Sequence, residues 1–117
     1  MRSEELVGRT KRNAIAIVRL VETLQKGMVT DVLTRQLIRS SCSVAANYRA
    51  ACRARSKADF TNKIGLVEEE ADETIFWLEM LVESGRIGIR ELGSIIEESR
   101  QLAAIFAASH KTARLNR

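Results

Sequence analysis

Proline is absent from this sequence, and among its 117 residues there are only one histidine and two cysteines. Because proline interrupts helices, its absence, together with abundant Ala, Leu, Ile, Glu and Arg, predicts an all-helical chain. With so little His and Cys, no CxxC or HExxH spacing exists, which argues against a metal site. We therefore expect neither a metal nor a cofactor.

Long hydrophobic runs are missing as well. No segment approaches the roughly 18 apolar residues that cross a bilayer, and the residues after Met1 lack a secretory signal pattern. We expect a cytoplasmic protein without a membrane partner. At 117 residues the chain predicts a single domain, 1–117, that forms a core without disulfides.

The two cysteines, Cys42 and Cys52, are ten positions apart on one predicted helix. At about 1.5 Å per residue, their separation along the axis is roughly 15 Å, which is too far for a disulfide. We expect two free thiols that are buried or half-buried, as free cysteines usually are.

Four segments show helical periodicity, at about 3–25, 31–55, 57–83 and 89–112. Short connections between them predict an all-α, antiparallel up-down-up-down four-helix bundle. On the second helix, the residues that should face the core are Leu37, Ser41, Val44, Tyr48 and Ala51. On the third, the core-facing residues repeat at four-three spacing: Phe60, Ile64, Val67, Ala71, Thr74, Leu78 and Leu81. Ser56 and Asp59 have the spacing of a capping box at the start of the third helix.

The third helix carries more apolar side chains near its end than one partner face can cover. Beyond the core-facing residues it has Ile75, Phe76, Trp77, Met80 and Val82. A helix that is apolar over most of its circumference usually buries a second face. We therefore expect self-association, with Phe76, Trp77 and Met80 at the interface.

Positive charge is concentrated in the first half of the chain. Residues 1–57 have twelve Lys and Arg against four acids, whereas residues 58–117 have seven against eleven. The second helix carries a row of cations on the side opposite its core face: Arg35, Arg39, Arg49 and Arg53, followed by Arg55 and Lys57. Such a row can follow a phosphate backbone, because each guanidinium can bind two phosphate oxygens. The alternative is pairing with the carboxylates of the third helix, within or between subunits.

A second basic group lies on the first helix and consists of Arg9, Lys11, Arg12 and Arg19. An ordinary solvated face is one interpretation, but two basic faces on a small protein also suit a polyanionic partner. No aromatic residues are interleaved with these cations, so base stacking is not predicted. Any binding to RNA or DNA should be directed at the backbone and sensitive to salt.

The run of carboxylates from Glu68 to Glu73 invites comparison with a catalytic or di-iron site. A di-iron bundle needs two Glu-x-x-His elements, and this chain has one histidine, His110. There is also no Ser-His or Cys-His pair with a third orienting group. We expect no catalytic residues and no enzymatic activity.

Several motifs of the central two helices resemble those of the four-helix-bundle proteins encoded in intervening sequences of bacterial large-subunit ribosomal RNA genes. They are Asn47-Tyr48-Arg49, Ser56-Lys57-Ala58-Asp59-Phe60 and Glu70-Ala71-Asp72-Glu73-Thr74, followed by Trp77-Leu78. They occur together, in order and at the family's spacing. The resemblance covers the central helices densely and the outer two only in length and pattern.

The resemblance implies a bundle that assembles into a ring-like homopentamer. It also implies a structural polar cluster between helices two and three, formed by Asn47, Arg49, Glu70 and Glu73. Relatives include the accessory protein of diversity-generating retroelements, a basic pentamer that binds nucleic acid and a reverse transcriptase. Two functions follow as expectations: binding of RNA or DNA, or a protein-interaction scaffold with a reverse transcriptase as partner.

Overall fold

The computed structural model describes residues 1–116, so Arg117, the last residue of the predicted domain, lies outside the described residues. Within this range the chain forms four helices and no strand. The helices are Ser3–Thr23 (α1), Met28–Ala51 (α2), Lys57–Glu83 (α3) and Ile89–Leu115 (α4). The prediction of an all-α four-helix bundle is confirmed. Across the described residues, each helix is too short or too polar to span a membrane.

Helix α2 differs most from its predicted range of about 31–55. It begins at Met28, directly after Gly27, whose backbone is extended, and the helix is uninterrupted from there. It ends at Ala51, because the Arg53 and Ala54 amides donate to carbonyls only three residues back, at 3.0 and 3.1 Å. This tightening of the chain is typical of a helix end.

The ends of the other three helices lie closer to their predicted positions. Helix α1 stops at Thr23, and its C-cap Leu24 is already extended, whereas α4 continues to Leu115. Sequence periodicity locates helices better than it locates their last turn, because the terminal residues make few core contacts.

The core consists of two hydrophobic clusters, one toward each end of the bundle. All five core-facing positions predicted for α2 are buried, and so are those of α3 except Phe60, which is half-buried. The first cluster centres on Tyr48, Ile64 and Phe106, with the Tyr48 and Phe106 rings 5.1 Å apart. The second centres on Leu37 and Leu78. Burying one such aliphatic side chain contributes roughly 1.5–3 kcal/mol.

A polar layer separates the two clusters. Its members are Thr10, Asn13, Ser40, Ser41, Thr74 and Ser99, all buried. The Asn13 Nδ2 donates to Ser99 Oγ at 3.0 Å, and the Thr74 hydroxyl donates to Ser40 Oγ at 3.0 Å. A cavity of about 10 Å³ lies within this layer, close to the volume that one water requires. Two side-chain bonds thus join facing helices across the layer, while the Thr10 and Ser41 hydroxyls donate to carbonyls of their own helices.

The two cysteines are free, as expected, but the prediction that they are buried or half-buried is wrong. Both are exposed. Cys42 lies on the outward side of α2, away from the core-facing positions, and Cys52 follows the end of that helix.

Candidate nucleic-acid interface

The outward side of α2 carries the predicted row of arginines. Arg35, Arg39, Arg49 and Arg53 are all exposed. The spacing of Arg35, Arg39 and Arg49 returns to the same side of the helix, with Arg35 and Arg49 roughly 21 Å apart along the axis, and Arg53 follows in the turn just after the helix end. We call these four residues, with Cys42 and Ala46 between them, the α2 outer stripe. Its length matches several phosphates of a nucleic-acid strand.

Arg39 differs from the rest of the stripe, because it is held by the neighbouring helix. Its guanidinium pairs with Glu70, at 3.1 Å between Nη1 and Oε2, and also with Glu73. Its Nε donates to Gln36 Oε1 at 2.9 Å. Trp77 Nε1 donates to the same Glu73 carboxylate at 3.0 Å. Arg39 therefore links α2 to α3, and the pairing alternative holds at this position.

This network corrects the predicted polar cluster of Asn47, Arg49, Glu70 and Glu73. Asn47 instead donates to Ser43 on its own helix, to the carbonyl at 2.9 Å and to Oγ at 2.8 Å. Arg49 makes no ion pair within residues 1–116. The reason is register. The Ser40–Thr74 contact sets α2 residue 40 opposite α3 residue 74, and Arg49 lies roughly 14 Å further along α2.

The four cations of the basic group on α1 also differ in whether they form an ion pair. Arg9 binds Glu98 of α4 through two bonds of 2.6 and 2.8 Å, and its Nη2 donates to Gln101 at 3.1 Å. The hydrogen bonds to Glu98 raise the pKa of Arg9. The other three, Lys11, Arg12 and Arg19, are exposed and make no ion pair within the described residues. Arg9 thus has a structural role, while its neighbours remain available to a ligand.

The turn between α2 and α3 brings more cations to one end of the bundle. Ser56 is the N-cap of α3, and its Oγ accepts from the Asp59 amide at 3.1 Å, as the capping motif predicts. The Asp59 carboxylate reaches one residue further back than a capping box, accepting from the Arg55 amide at 3.1 Å. Its second partner is Lys63, at 2.6 Å. These bonds fix the turn that carries the exposed side chains of Arg53, Arg55 and Lys57.

A groove of about 880 Å³ opens at the same end, and we call it the end groove. It lies among the start of α1, the end of α2, the start of α3 and the end of α4. Its lining includes Tyr48, Cys52, Arg55, Lys57, Phe60 and Thr112. Burial, and then the adjacent Cys52 thiol, raise the pKa of Tyr48 to about 12. The groove therefore combines aromatic and small apolar walls with a cationic rim.

Four of the eight carboxylates of α3 contact other helices. Besides the pairs with Arg39, Glu68 Oε1 lies 2.6 Å from His110 Nδ1, and Glu79 lies 3.8 Å from Arg100. No group of three potential metal ligands occurs among residues 1–116. These acids bind neighbouring helices, which differs from the convergent arrangement of a carboxylate metal site.

The predicted interface residues lie near the end of α3. Phe76 is 49% exposed and Met80 36% exposed, while Trp77 is half-buried against the second core cluster. The Phe76 and Trp77 rings meet edge to face, with centroids 4.9 Å apart. A single subunit thus leaves Phe76 and Met80 partly uncovered, and their role in assembly stays a prediction.

Comparison with known proteins settles the family. A family model described as 23S rRNA-intervening sequence protein matches residues 4–108. The chain belongs to this family. A solved structure with 32% sequence identity and a TM-score of 0.81 is similar over 90% of this chain and 97% of that chain. It is a protein with unknown function from the S23 ribosomal protein family of Bacteroides thetaiotaomicron VPI-5482. Among curated proteins no match was found.

For this member of the 23S rRNA-intervening sequence protein family, sequence reasoning missed the end groove. Periodicity predicts core-facing positions for both Phe60 and Tyr48 and does not connect either with Arg55 and Lys57. Their position in the sequence could have indicated the groove, because both aromatic residues lie close to the turn that joins α2 to α3. The Arg9–Glu98 pair, 89 positions apart, had no signal in the local sequence.

Proposed function

We propose that this member of the 23S rRNA-intervening sequence protein family is a cytoplasmic, non-enzymatic, oligomeric bundle that binds RNA or DNA through the phosphate backbone. One observation carries the proposal: most predicted ligand-binding cations are exposed and make no ion pair within residues 1–116. They are Arg35, Arg49, Arg53, Arg55 and Lys57, with Lys11, Arg12 and Arg19 on α1. The proposed ligand-binding residues do not include Arg9 and Arg39, because each forms ion pairs with carboxylates.

The surroundings of the α2 outer stripe favour a polyanion. Asp31 is the one acid within α2, and it lies in the first turn of the helix, below Arg35. None of the stripe arginines forms an ion pair with Asp31, and within residues 1–116 only Arg39 is paired, by acids of α3. Each phosphate that such a cation neutralises releases a counterion, so the affinity should fall steeply with salt.

The proposal includes an antiparallel, up-down-up-down order of the helices. Its support is the direction of the ion pairs between α3 and α4. Moving forward along α3 from Glu68 to Glu79, the partners move backward along α4 from His110 to Arg100. The two core clusters relate α2 to α3 in the same opposed sense, because one contains Tyr48 with Ile64 and the other contains Leu37 with Leu78.

The proposal also includes assembly into a ring-like homopentamer. Phe76 and Met80 supply uncovered apolar area beside exposed acids such as Asp72. The α2 outer stripe lies outside this apolar patch, so its arginines stay available to nucleic acid in the ring. A patch that meets a different patch on the next copy makes a head-to-tail contact, which closes into a ring when the rotation permits.

The test of nucleic-acid binding is filter binding to a blunt 20-base-pair RNA duplex at about 50 and 200 mM salt. We expect wild-type affinity to fall as salt rises. The triple substitution Arg35→Gln, Arg49→Gln, Arg53→Gln should reduce the slope of log K against log salt by about 2 to 3, at roughly 0.9 per lost phosphate contact. Arg39→Gln is the matched control, since that side chain is already paired with Glu70 and Glu73. Salt-independent binding, or none at 50 mM, would refute the proposal.

A second candidate function is a protein-interaction scaffold, with a reverse transcriptase as partner. The observation that favours it is the position of Arg39 and Trp77, locked together through Glu73 beside the uncovered Phe76. A rigid, partly apolar surface of this kind suits protein contacts. Substituting Arg35 and Arg39 together separates the two functions. Loss of oligomers with unchanged RNA binding would favour the scaffold, whereas weaker RNA binding with intact oligomers would favour the nucleic-acid function.

A further inference from the structure

The end groove adjoins the cationic turn but is not required for contacts to a phosphate backbone. Its volume of about 880 Å³ lies within the range of small-ligand sites. We propose that the end groove receives one unpaired nucleotide of a bound strand, with its base against Phe60 and its phosphate at Arg55 and Lys57. This inference rests on the proposed nucleic-acid function and adds a preferred substrate, a strand with an unpaired base.

The walls of the groove suit a flat aromatic ligand. Phe60 is half-buried, so one part of its ring packs against the first core cluster while another lines the groove. Ala51, Ala54 and Ala108 also line it, and their small side chains leave room beside the ring. Stacking of a base on an aromatic side chain is worth roughly 5- to 150-fold in affinity and tolerates every base, because each has a π face.

Polar groups in the groove suit the edge of a base. Tyr48, 6% exposed, lines it together with Ser109 and Thr112. With its pKa at about 12, the Tyr48 hydroxyl stays neutral at pH 7 and can donate or accept a hydrogen bond. Hydroxyl groups of this kind pair with donors and acceptors alike. The groove should therefore favour an unpaired base without selecting strongly among the four.

The rim supplies a place for the phosphate. Arg55 and Lys57 flank Ser56, the N-cap of α3, and both are exposed. The first turn of a helix presents positive partial charge, which adds to that of the two side chains. Arg55 and Lys57 are the charged residues that line the groove, and the Asp59 carboxylate beyond them is already bound by Lys63 and the Arg55 amide. The local charge facing the groove is thus positive.

Continuity with the α2 outer stripe favours a nucleotide over an acidic peptide or an anionic lipid. Arg49 and Arg53 lead along α2 toward Arg55, so a strand that follows the stripe arrives at the groove. An acyl chain would place hydrocarbon against Tyr48, Ser109 and Thr112, whose hydroxyl groups would lose their hydrogen bonds to water. An acidic peptide would use the rim but not the aromatic wall.

The two exposed cysteines provide a direct test, because Cys42 lies in the α2 outer stripe and Cys52 lines the end groove. Alkylation by iodoacetamide is followed at each thiol by mass spectrometry, with three RNA probes present in turn. The probes are a blunt duplex, the same duplex with a three-nucleotide 3′ overhang, and that overhang with abasic sites. We expect every probe to slow alkylation of Cys42. Only the overhang with bases should slow that of Cys52.

Affinities for the same probes complete the test. The wild-type protein should bind the overhang probe at least about fivefold more tightly than the blunt or abasic probe. Phe60→Leu, which keeps an apolar side chain in place, should bring this ratio close to one. Phe76→Leu, the same change at the other end of α3, should leave the ratio unaltered.

The outcomes separate the two proposals. Protection of Cys42 without protection of Cys52, or equal affinity for the blunt and overhang probes, overturns the nucleotide site while the backbone-binding function stands. Failure of all three probes to bind overturns the backbone-binding function itself. Protection of Cys52 by an acidic peptide or by vesicles of anionic lipid, but not by the overhang, assigns the groove to another partner and also overturns the proposal.

Discussion

The two ends of the bundle differ in what they leave uncovered. At the end formed by the α2–α3 turn, cations surround a groove with Tyr48 and Phe60 in its walls. Toward the other end of α3, Phe76 and Met80 are exposed beside carboxylates. Each end has its own core cluster. The comparison teaches that one small bundle can separate a surface suited to an anionic ligand from a surface suited to protein.

Helix α3 produces much of this difference by its own charge order. Its two lysines, Lys57 and Lys63, lie in the first two turns, whereas Asp59 is the one acid before Glu68. From Glu68 onward the helix has acids and no cation. Because the cations of α3 lie near the end of α2, they extend the row that Arg49 and Arg53 begin. A charge gradient therefore runs along α3, from positive at the groove end to negative at the other end.

The largest effect should come from breaking the apolar surface. The double substitution Phe76→Glu, Met80→Glu places two charges where apolar side chains are 49% and 36% exposed. Such charges would be desolvated without a partner in a subunit contact, so we expect assemblies to dissociate to monomers. Sedimentation velocity measures the change in mass.

Ile15→Glu is the matched control, because Ile15 is 42% exposed on α1, outside the proposed interface. It should leave the mass unchanged. A double variant that keeps the wild-type mass would show that Phe76 and Met80 take no part in assembly. The helical content of both variants, followed by circular dichroism, should match the wild type, since all three positions face solvent.

A smaller effect should come from the polar layer between the two ends. Asn13→Ala removes the donor to Ser99 Oγ and leaves that hydroxyl buried at 3% exposure. We expect a loss of about 1–3 kcal/mol in the free energy of unfolding, the usual cost of an unsatisfied buried group. Denaturant unfolding measures it.

The double variant Asn13→Leu, Ser99→Ala is the companion experiment. It removes both partners, and its unfolding free energy should lie closer to that of the wild type than the single variant does. If the single variant is as stable as the wild type, the Asn13–Ser99 bond contributes nothing to the connection between the two core clusters.

The sequence predicted the bundle well because its core obeys helical periodicity. The five core-facing positions predicted on α2, between Leu37 and Ala51, are all buried, since a single repeating face decides their burial. Ser41 is among them although it is polar, because its position on that face and its small side chain permit burial.

The site was predicted less completely, because pairing depends on the register between helices. Periodicity put Arg35, Arg39, Arg49 and Arg53 on one side of α2 but could not tell which of them faces an acid. Only the offset between α2 and α3 selects Arg39 for Glu70 and Glu73 and leaves Arg49 exposed. The end groove likewise needs four chain segments to meet at one end, which no local pattern encodes.

The smallest effect should come from Asp59, which holds the start of α3 at the groove end. The hydrogen bond from Lys63 and then the bond from the Arg55 amide lower the pKa of Asp59 below its usual 3.8. A carboxyl whose pKa is lower in the folded state adds stability above pH 3.8 and loses that contribution as the pH falls through the folded value. Asp59→Asn should therefore lower the thermal midpoint slightly at pH 7 and have no effect well below pH 3.8. Asp72→Asn, at an exposed position of the same helix, should leave the midpoint unchanged at both pH values, and an equal loss in the two variants would exclude the capping role of Asp59.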